Sequence, residues 1–93
     1  MNRGRLLHIL TLIDRLNDLG EERSRKSRCY TTAMLTYNRD SVQVNVFSHG
    51  GDGNDLVFVA PTREGAFVGK YARRDEELYQ CEEYLKGILE VVA

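Results

Sequence analysis

The chain has 93 residues, enough for one domain near the lower end of the usual size range, so we treat residues 1–93 as a single domain. It is 42% hydrophobic and 29% charged, a composition typical of a globular fold rather than of a disordered segment. The formal net charge of -1 excludes a broadly basic chain that nucleic acid would attract over long distances.

The apolar and cysteine content predicts a cytoplasmic protein. No apolar run is long enough to cross a bilayer, so no membrane partner is expected. Charged residues interrupt the apolar-rich stretch 1–19 and no small-residue cleavage site follows it, so a signal peptide is not expected. Cys29 and Cys81 are too few and too far apart for a disulfide scaffold or a zinc ribbon, and we expect both to be reduced and half-buried.

The first predicted element is a helix over 5–19. Its apolar residues recur at helical spacing, and Gly20 stands where a left-handed C-terminal cap belongs. The predicted stripe consists of Leu6, Ile9, Leu10, Ile13 and Leu16, widened by Leu7, Leu12 and Leu19. An arc this wide must touch more than one neighbour. Either the helix is wedged between a sheet and a second helix, or part of it forms a dimer or partner surface.

A charged connection and four strands are predicted next. The segment 21–28 is charge-dense and has no periodicity, which indicates a loop. The predicted strands are 29–37, 41–48, 56–60 and 66–71. The third is continuously apolar, as expected of a central strand. The connections between them suit hairpins and are too short for crossover helices, so the sheet should be an antiparallel meander.

A second helix over 75–92 closes the domain. Acidic residues occupy its first turn, where the helix dipole favours negative charge. Its predicted apolar stripe consists of Leu78, Cys81, Leu85, Ile88 and Val92. Glu82, Glu83 and Glu90 fall outside the stripe and are interpreted as a solvated face. The predicted class is thus α+β in the order α-β-β-β-β-α, with both helices packed on one face of the sheet.

The glycine-rich segment 50–58 is the part of the chain most like a motif. It resembles one copy of the nonapeptide repeat of the calcium-binding repeat-in-toxin family. In that family the ions are held between stacked tandem copies, and here there is a single copy. Glycine, Asn and Asp also suit a hairpin loop, because they tolerate positive backbone angles. We therefore interpret the segment as a hairpin and predict no metal site.

Two basic clusters, 23–28 and 70–74, are the candidates for contact with phosphates or with an acidic protein surface. The second cluster, in the segment 69–74, precedes the last helix. Double-stranded-RNA-binding domains are similar in element order and also have lysines at the start of that helix. The similarity is one of topology, and this chain departs from it by placing acidic residues at 75–77 and by having four predicted strands.

The sheet face turned away from the helices is the second candidate surface. If Val42, Val44 and Val46 are buried, the residues between them point outward, Phe47 among them. An open sheet face with aromatic residues can be buried against a protein or can stack nucleic-acid bases.

Neither His8 nor His49 has a nucleophile motif beside it, so no catalytic residue is predicted. No cofactor is predicted either.

Three functions remain. The preferred one is a small non-enzymatic binding module that regulates or inhibits a larger macromolecule by surface contact with a protein. Such a domain is similar in size and style to phage and mobile-element inhibitors. The alternatives are a nucleic-acid-binding domain that uses both basic clusters, and a structural homodimer subunit built on the first helix. The residues predicted to contact a partner are Arg23, Arg25, Lys26, Arg28, Phe47, Lys70, Arg73, Arg74, Glu82 and Glu83.

Overall fold

The computed structural model describes residues 3–27, 29–39, 41–50, 55–61 and 74–92. In chain order these residues form α1 (Arg3–Ser24), β1 (Tyr30–Tyr37), β2 (Ser41–His49), β3 (Leu56–Pro61) and α2 (Arg74–Val92). The predicted α+β class, with an antiparallel sheet between an N-terminal and a C-terminal helix, is confirmed. The predicted fourth strand, 66–71, lies outside the described residues.

The sheet is an antiparallel meander in the order β1-β2-β3. Within the described strands β2 is therefore central, and β3, which its apolar sequence had marked as central, lies at an edge. The β1–β2 turn is closed by Asn38, whose side-chain oxygen accepts a hydrogen bond from the Ser41 N–H at 2.8 Å. After β2 the chain turns at Gly50, whose φ of 74° is the left-handed conformation that glycine adopts most easily.

Helix α1 ends later than the apolar pattern predicts. It continues through Gly20 to Ser24, so Gly20 is not its C-terminal cap and the first half of the predicted loop is helical. Gly20 is instead buried where α1 passes close to β1. A Cβ atom at this position would lie 2.7 Å from the carbonyl oxygen of Thr31. The glycine is therefore required for close approach between helix and strand rather than for a turn.

Asn17 joins α1 to the backbone of β1. Its amide nitrogen donates to the Ala33 carbonyl at 2.9 Å, and its oxygen accepts from the Ala33 N–H at 2.8 Å. Because β1 lies at the edge of the sheet, half of its backbone groups face away from β2. Asn17 satisfies one donor and one acceptor of that edge.

The core lies between the sheet and the two helices. Val42, Val44 and Val46 of β2 are buried there, as their alternation predicts. Helix α1 packs against both β1 and α2, so its wide apolar arc touches two neighbours, as predicted; α2 also packs on the sheet, against β3, so α1 lies beside α2 rather than between it and the sheet. The side chains that complete the core cluster are Ile9, Leu12, Ile13, Leu16, Ala33, Ala60, Leu78, Cys81, Leu85 and Leu89.

The contacts between the helices show that they run in the same direction. The guanidinium of Arg5 lies 5.2 Å from the ring centre of Tyr79, and His8 contacts Glu82, so the contacts advance by one helical turn along both helices. Both helices lie on the face of the sheet that carries the buried valines, because side chains of both belong to the same core cluster as those valines. The other face of the sheet lies outside this two-layer core.

Candidate functional site

The three described strands contain no Asp, Glu, Lys or Arg, although these residues make up 29% of the chain. One face of an antiparallel sheet is usually solvated and carries polar or charged side chains. Among the described residues the charges lie in the helices and connections. The outer face of the three described strands is therefore neutral, which sets it apart from the described helices.

The strand register determines which side chains lie on that outer face. Ala33 is opposite Val46, and Val44 is opposite Phe58, so these residues share the buried side and their sequence neighbours point away from it. We call the outward set the open sheet face. It consists of Tyr30, Thr32, Met34, Thr36, Ser41, Gln43, Asn45, Phe47, His49, Val57 and Val59. The two helices pack on the other side, and α1 approaches the open sheet face only at its β1 edge, where a Cβ on Gly20 would lie 3.2 Å from Thr32 Cγ2.

One end of the open sheet face is an ordered aromatic corner. The rings of Tyr30 and His49 stack with their centres 4.4 Å apart and an angle of 10° between their planes. The Nε2 atom of His49 lies 2.9 Å from the hydroxyl oxygen of Thr32, which fixes the imidazole orientation. Phe47 lies beside this corner, directly opposite Thr32. Side chains held in this way lose little conformational entropy on binding.

The middle of the open sheet face is a row across all three strands. Met34 pairs with Asn45, and Asn45 pairs with Val57. Met34 and Val57 are 48% and 54% exposed, which is high for apolar side chains in the middle of strands. Asn45 accepts a hydrogen bond of 3.0 Å from Gln43 Nε2, so its own amide hydrogens are still available.

The described part of the basic cluster 23–28 begins in the last turn of α1, which holds Arg23, and continues into the turn that follows the helix. Arg25 pairs with Glu21 at 3.3 Å, and Lys26 pairs with Glu22 at 3.6 Å, each four residues apart and exposed. Arg23 is exposed and makes no ion pair with any residue in the described ranges. Neighbouring carboxylates thus offset the positive charge that the sequence pattern emphasises.

The other predicted contact residues do not converge on one site. Phe47 belongs to the open sheet face, whereas Glu83 is exposed on α2, 3.4 Å from Lys86. Arg74 begins α2, and its side chain lies outside the described part of the chain. Arg28, Lys70 and Arg73 lie outside the described residues altogether.

Glu82 corrects the interpretation of α2 as having a fully solvated acidic face. It is buried, with 9% of its surface exposed, and points toward α1. One carboxylate oxygen lies 2.8 Å from His8 Nδ1, and the other lies 3.9 Å from Arg5 Nε and 3.9 Å from Lys86 Nζ. A carboxylate is tolerated at a helix–helix contact when cations and hydrogen bonds surround it. Glu82 therefore links the two helices and is not available to a partner.

The groups that could serve catalysis lie apart from one another. His8 is engaged with Glu82 on the helical side of the molecule, whereas His49 stacks on Tyr30 on the open sheet face. Cys29, which was predicted to be half-buried, is exposed, and its thiol lies 3.2 Å from the Gly50 carbonyl oxygen. No three metal-ligating side chains gather within the described ranges.

Cys81, which was also predicted to be half-buried, is fully buried. Both cysteines are free thiols, as predicted. Burial, followed by the negative charges of Glu77 and Glu82, raises the pKa of the Cys81 thiol to about 12. At pH 8 the reactive thiolate of Cys81 is then only about one part in ten thousand.

We expect iodoacetamide at pH 8 to modify the folded protein once, at Cys29, because Cys81 is both protonated and inaccessible. Intact-mass spectrometry and peptide mapping would identify the adduct. Unfolding in guanidinium should expose the second thiol, and the Cys29→Ser variant should stay unmodified while folded. Rapid labelling of Cys81 in the native protein would contradict the packing of α2.

The outward direction of Asn45 followed from the alternation along β2, whereas its pairing with Val57 in one row and the helix–strand contacts of Asn17 and Gly20 were not predicted. The neutrality of the row had a detectable signal, because the first three predicted strands contain no charged residue. The contacts of Asn17 and Gly20 had none, because a lone polar residue or glycine in a helix does not reveal which strand passes beside it.

Comparison with protein-family models, with curated proteins and with solved structures finds no match for this chain. Among the described helices, none is both long and apolar enough to cross a membrane.

Proposed function

We propose that this chain is a protein-binding module whose contact surface is the open sheet face. The observation that carries the proposal is an ordered sheet face with aromatic, Met and Val side chains and no charged residue on any of its three strands. Interface cores are depleted in charge and enriched in aromatic residues and Met in the same way. The predicted regulatory or inhibitory role depends on which protein is bound and stays a prediction.

Nucleic acid is the less favoured partner. Binding a phosphate backbone requires Lys or Arg beside the surface on which bases stack, and the open sheet face has neither. Arg25 and Lys26 lie at the end of α1 and are already paired with carboxylates. The second basic cluster lies outside the described side chains, so the nucleic-acid hypothesis stays a prediction based on sequence.

Site-specific photo-crosslinking in the cells of origin tests the proposal. A benzophenone side chain would replace Val57 in the middle of the open sheet face, or Val91 on the outside of α2. Both valines are exposed, at 54% and 83%, so the control position is the more accessible of the two, and the variants differ in the surface they report. We expect a discrete protein adduct from position 57, sensitive to protease and resistant to nuclease, and none from position 91.

A second substitution shows whether the adduct reflects specific binding. Met34→Lys, placed in the Val57 variant, puts an unpaired charge in the same row and should abolish the adduct, because burying that charge is costly. The circular dichroism and melting temperature should remain close to those of the parent. Equal adducts at both positions, or an adduct at position 57 that survives Met34→Lys, would refute the proposed interface.

A further inference from the structure

We infer that the protein on the open sheet face is a second copy of this chain, packed face to face about a two-fold axis; this inference rests on the proposed function. The axis would pass near Asn45, in the middle of the central strand. This axis puts the dimer interface on the sheet, whereas the sequence-based homodimer hypothesis had put the interface on α1.

The lack of charged side chains on the open sheet face suits contact with a second copy of the same face. In a two-fold interface each residue near the axis meets its own copy, so any charged residue there meets a like charge. The open sheet face has no charge to repel its copy, whereas both helices carry many. A neutral face also has no charge complementarity with which to select an oppositely charged partner.

The hydrogen-bonding groups of Gln43 and Asn45 also suit contact with a second copy. Gln43 donates to Asn45 within one copy, which leaves the Asn45 amide hydrogens and the Gln43 oxygen available. The central pair thus presents both donors and an acceptor. An axis through Asn45 brings two such amides together, and each can donate to the other copy. A surface that offers both functions at its centre is complementary to itself.

The area of the face indicates a dimer of low affinity. Three strands about 4.8 Å apart, with about 3.3 Å per residue, give a flat footprint of roughly 15 by 25 Å. Side-chain relief raises the area that each copy buries to about 500–700 Å², whereas a standard stable interface buries about 800 Å² per partner. The dimer should therefore be reversible, with a Kd on the order of 10 µM.

Sedimentation equilibrium over a concentration range spanning that Kd tests the inference. The wild-type protein and the control Val91→Lys, at an 83% exposed position on α2, should rise from one to two monomer masses. Asn45→Lys should remain monomeric, with association weakened by about 100-fold, because two ammonium groups then meet at the axis. An equimolar mixture of Asn45→Lys and Asn45→Asp should form dimers again.

The outcomes separate the inference from the proposed function. A wild-type protein that stays monomeric throughout, or an Asn45→Lys variant that dimerises normally, overturns the sheet-to-sheet dimer. If the position-57 adduct then contains a different protein, the protein-binding function stands with another partner. If position 57 gives no adduct and the wild-type protein also stays monomeric, both fall. An adduct of twice the monomer mass supports both.

Discussion

Replacing Gly20 with alanine is expected to lower the free energy of unfolding by about 2 kcal/mol, even though alanine is the better helix former by about 1 kcal/mol. The added methyl group would lie 2.7 Å from the Thr31 carbonyl oxygen and 3.2 Å from a Thr32 side-chain carbon. The nearer atom belongs to the backbone, so α1 must move away from β1. That movement also strains the hydrogen bonds between Asn17 and Ala33.

Gly87→Ala is the matched control, because Gly87 is also helical but, in the described part of the chain, no atom beyond its own stretch of helix lies within 4 Å of the added Cβ. It should stabilise the protein by about 0.5–1 kcal/mol. Thermal and urea unfolding of both variants measure the contrast, and for a domain of this size about 1 kcal/mol corresponds to about 4–8 °C. If Gly20→Ala stabilised the protein as much as Gly87→Ala does, α1 would not pass close to β1.

Leu12→Ala is expected to cost about 2–4 kcal/mol, because Leu12 is 5% exposed and belongs to the core cluster. Truncating a packed leucine removes apolar contacts and leaves a cavity that its neighbours fill only partly. In a domain whose total stability is about 5–10 kcal/mol, this is a large fraction. Urea unfolding would measure the loss of stability. The slope of the free energy of unfolding against urea concentration should stay unchanged.

Leu10→Ala, two residues earlier, provides the comparison. Leu10 belongs to the stripe that the helical pattern predicts, yet it is 38% exposed. Its truncation should cost less than about 1 kcal/mol. Since both substitutions replace leucine with alanine in one helix, the difference reports the orientation of α1. A larger loss from Leu10→Ala than from Leu12→Ala would mean that the helix is rotated toward the pattern-predicted stripe.

Much of the fold could be predicted because it is determined locally. Alternation along β2 placed its three valines on the buried face, and the order of the described elements follows from where helical periodicity gives way to alternation. The segment around Asn38 and the glycine at position 50 marked the hairpins, since their preferred backbone angles are intrinsic to the residue type. The outward direction of Phe47 followed from the same alternation.

The sequence by itself thus determined the types of the described elements, the inner and outer sides of β2, and the neutrality of the three described strands. Tertiary structure alone decided which side of α1 faces inward, since eight apolar positions formed too wide an arc to choose between Leu10 and Leu12. It also decided that Glu82 is buried beside His8, and that Gly20 lies against Thr31. These properties depend on groups far apart in the chain, and no local pattern records which distant group will become a neighbour.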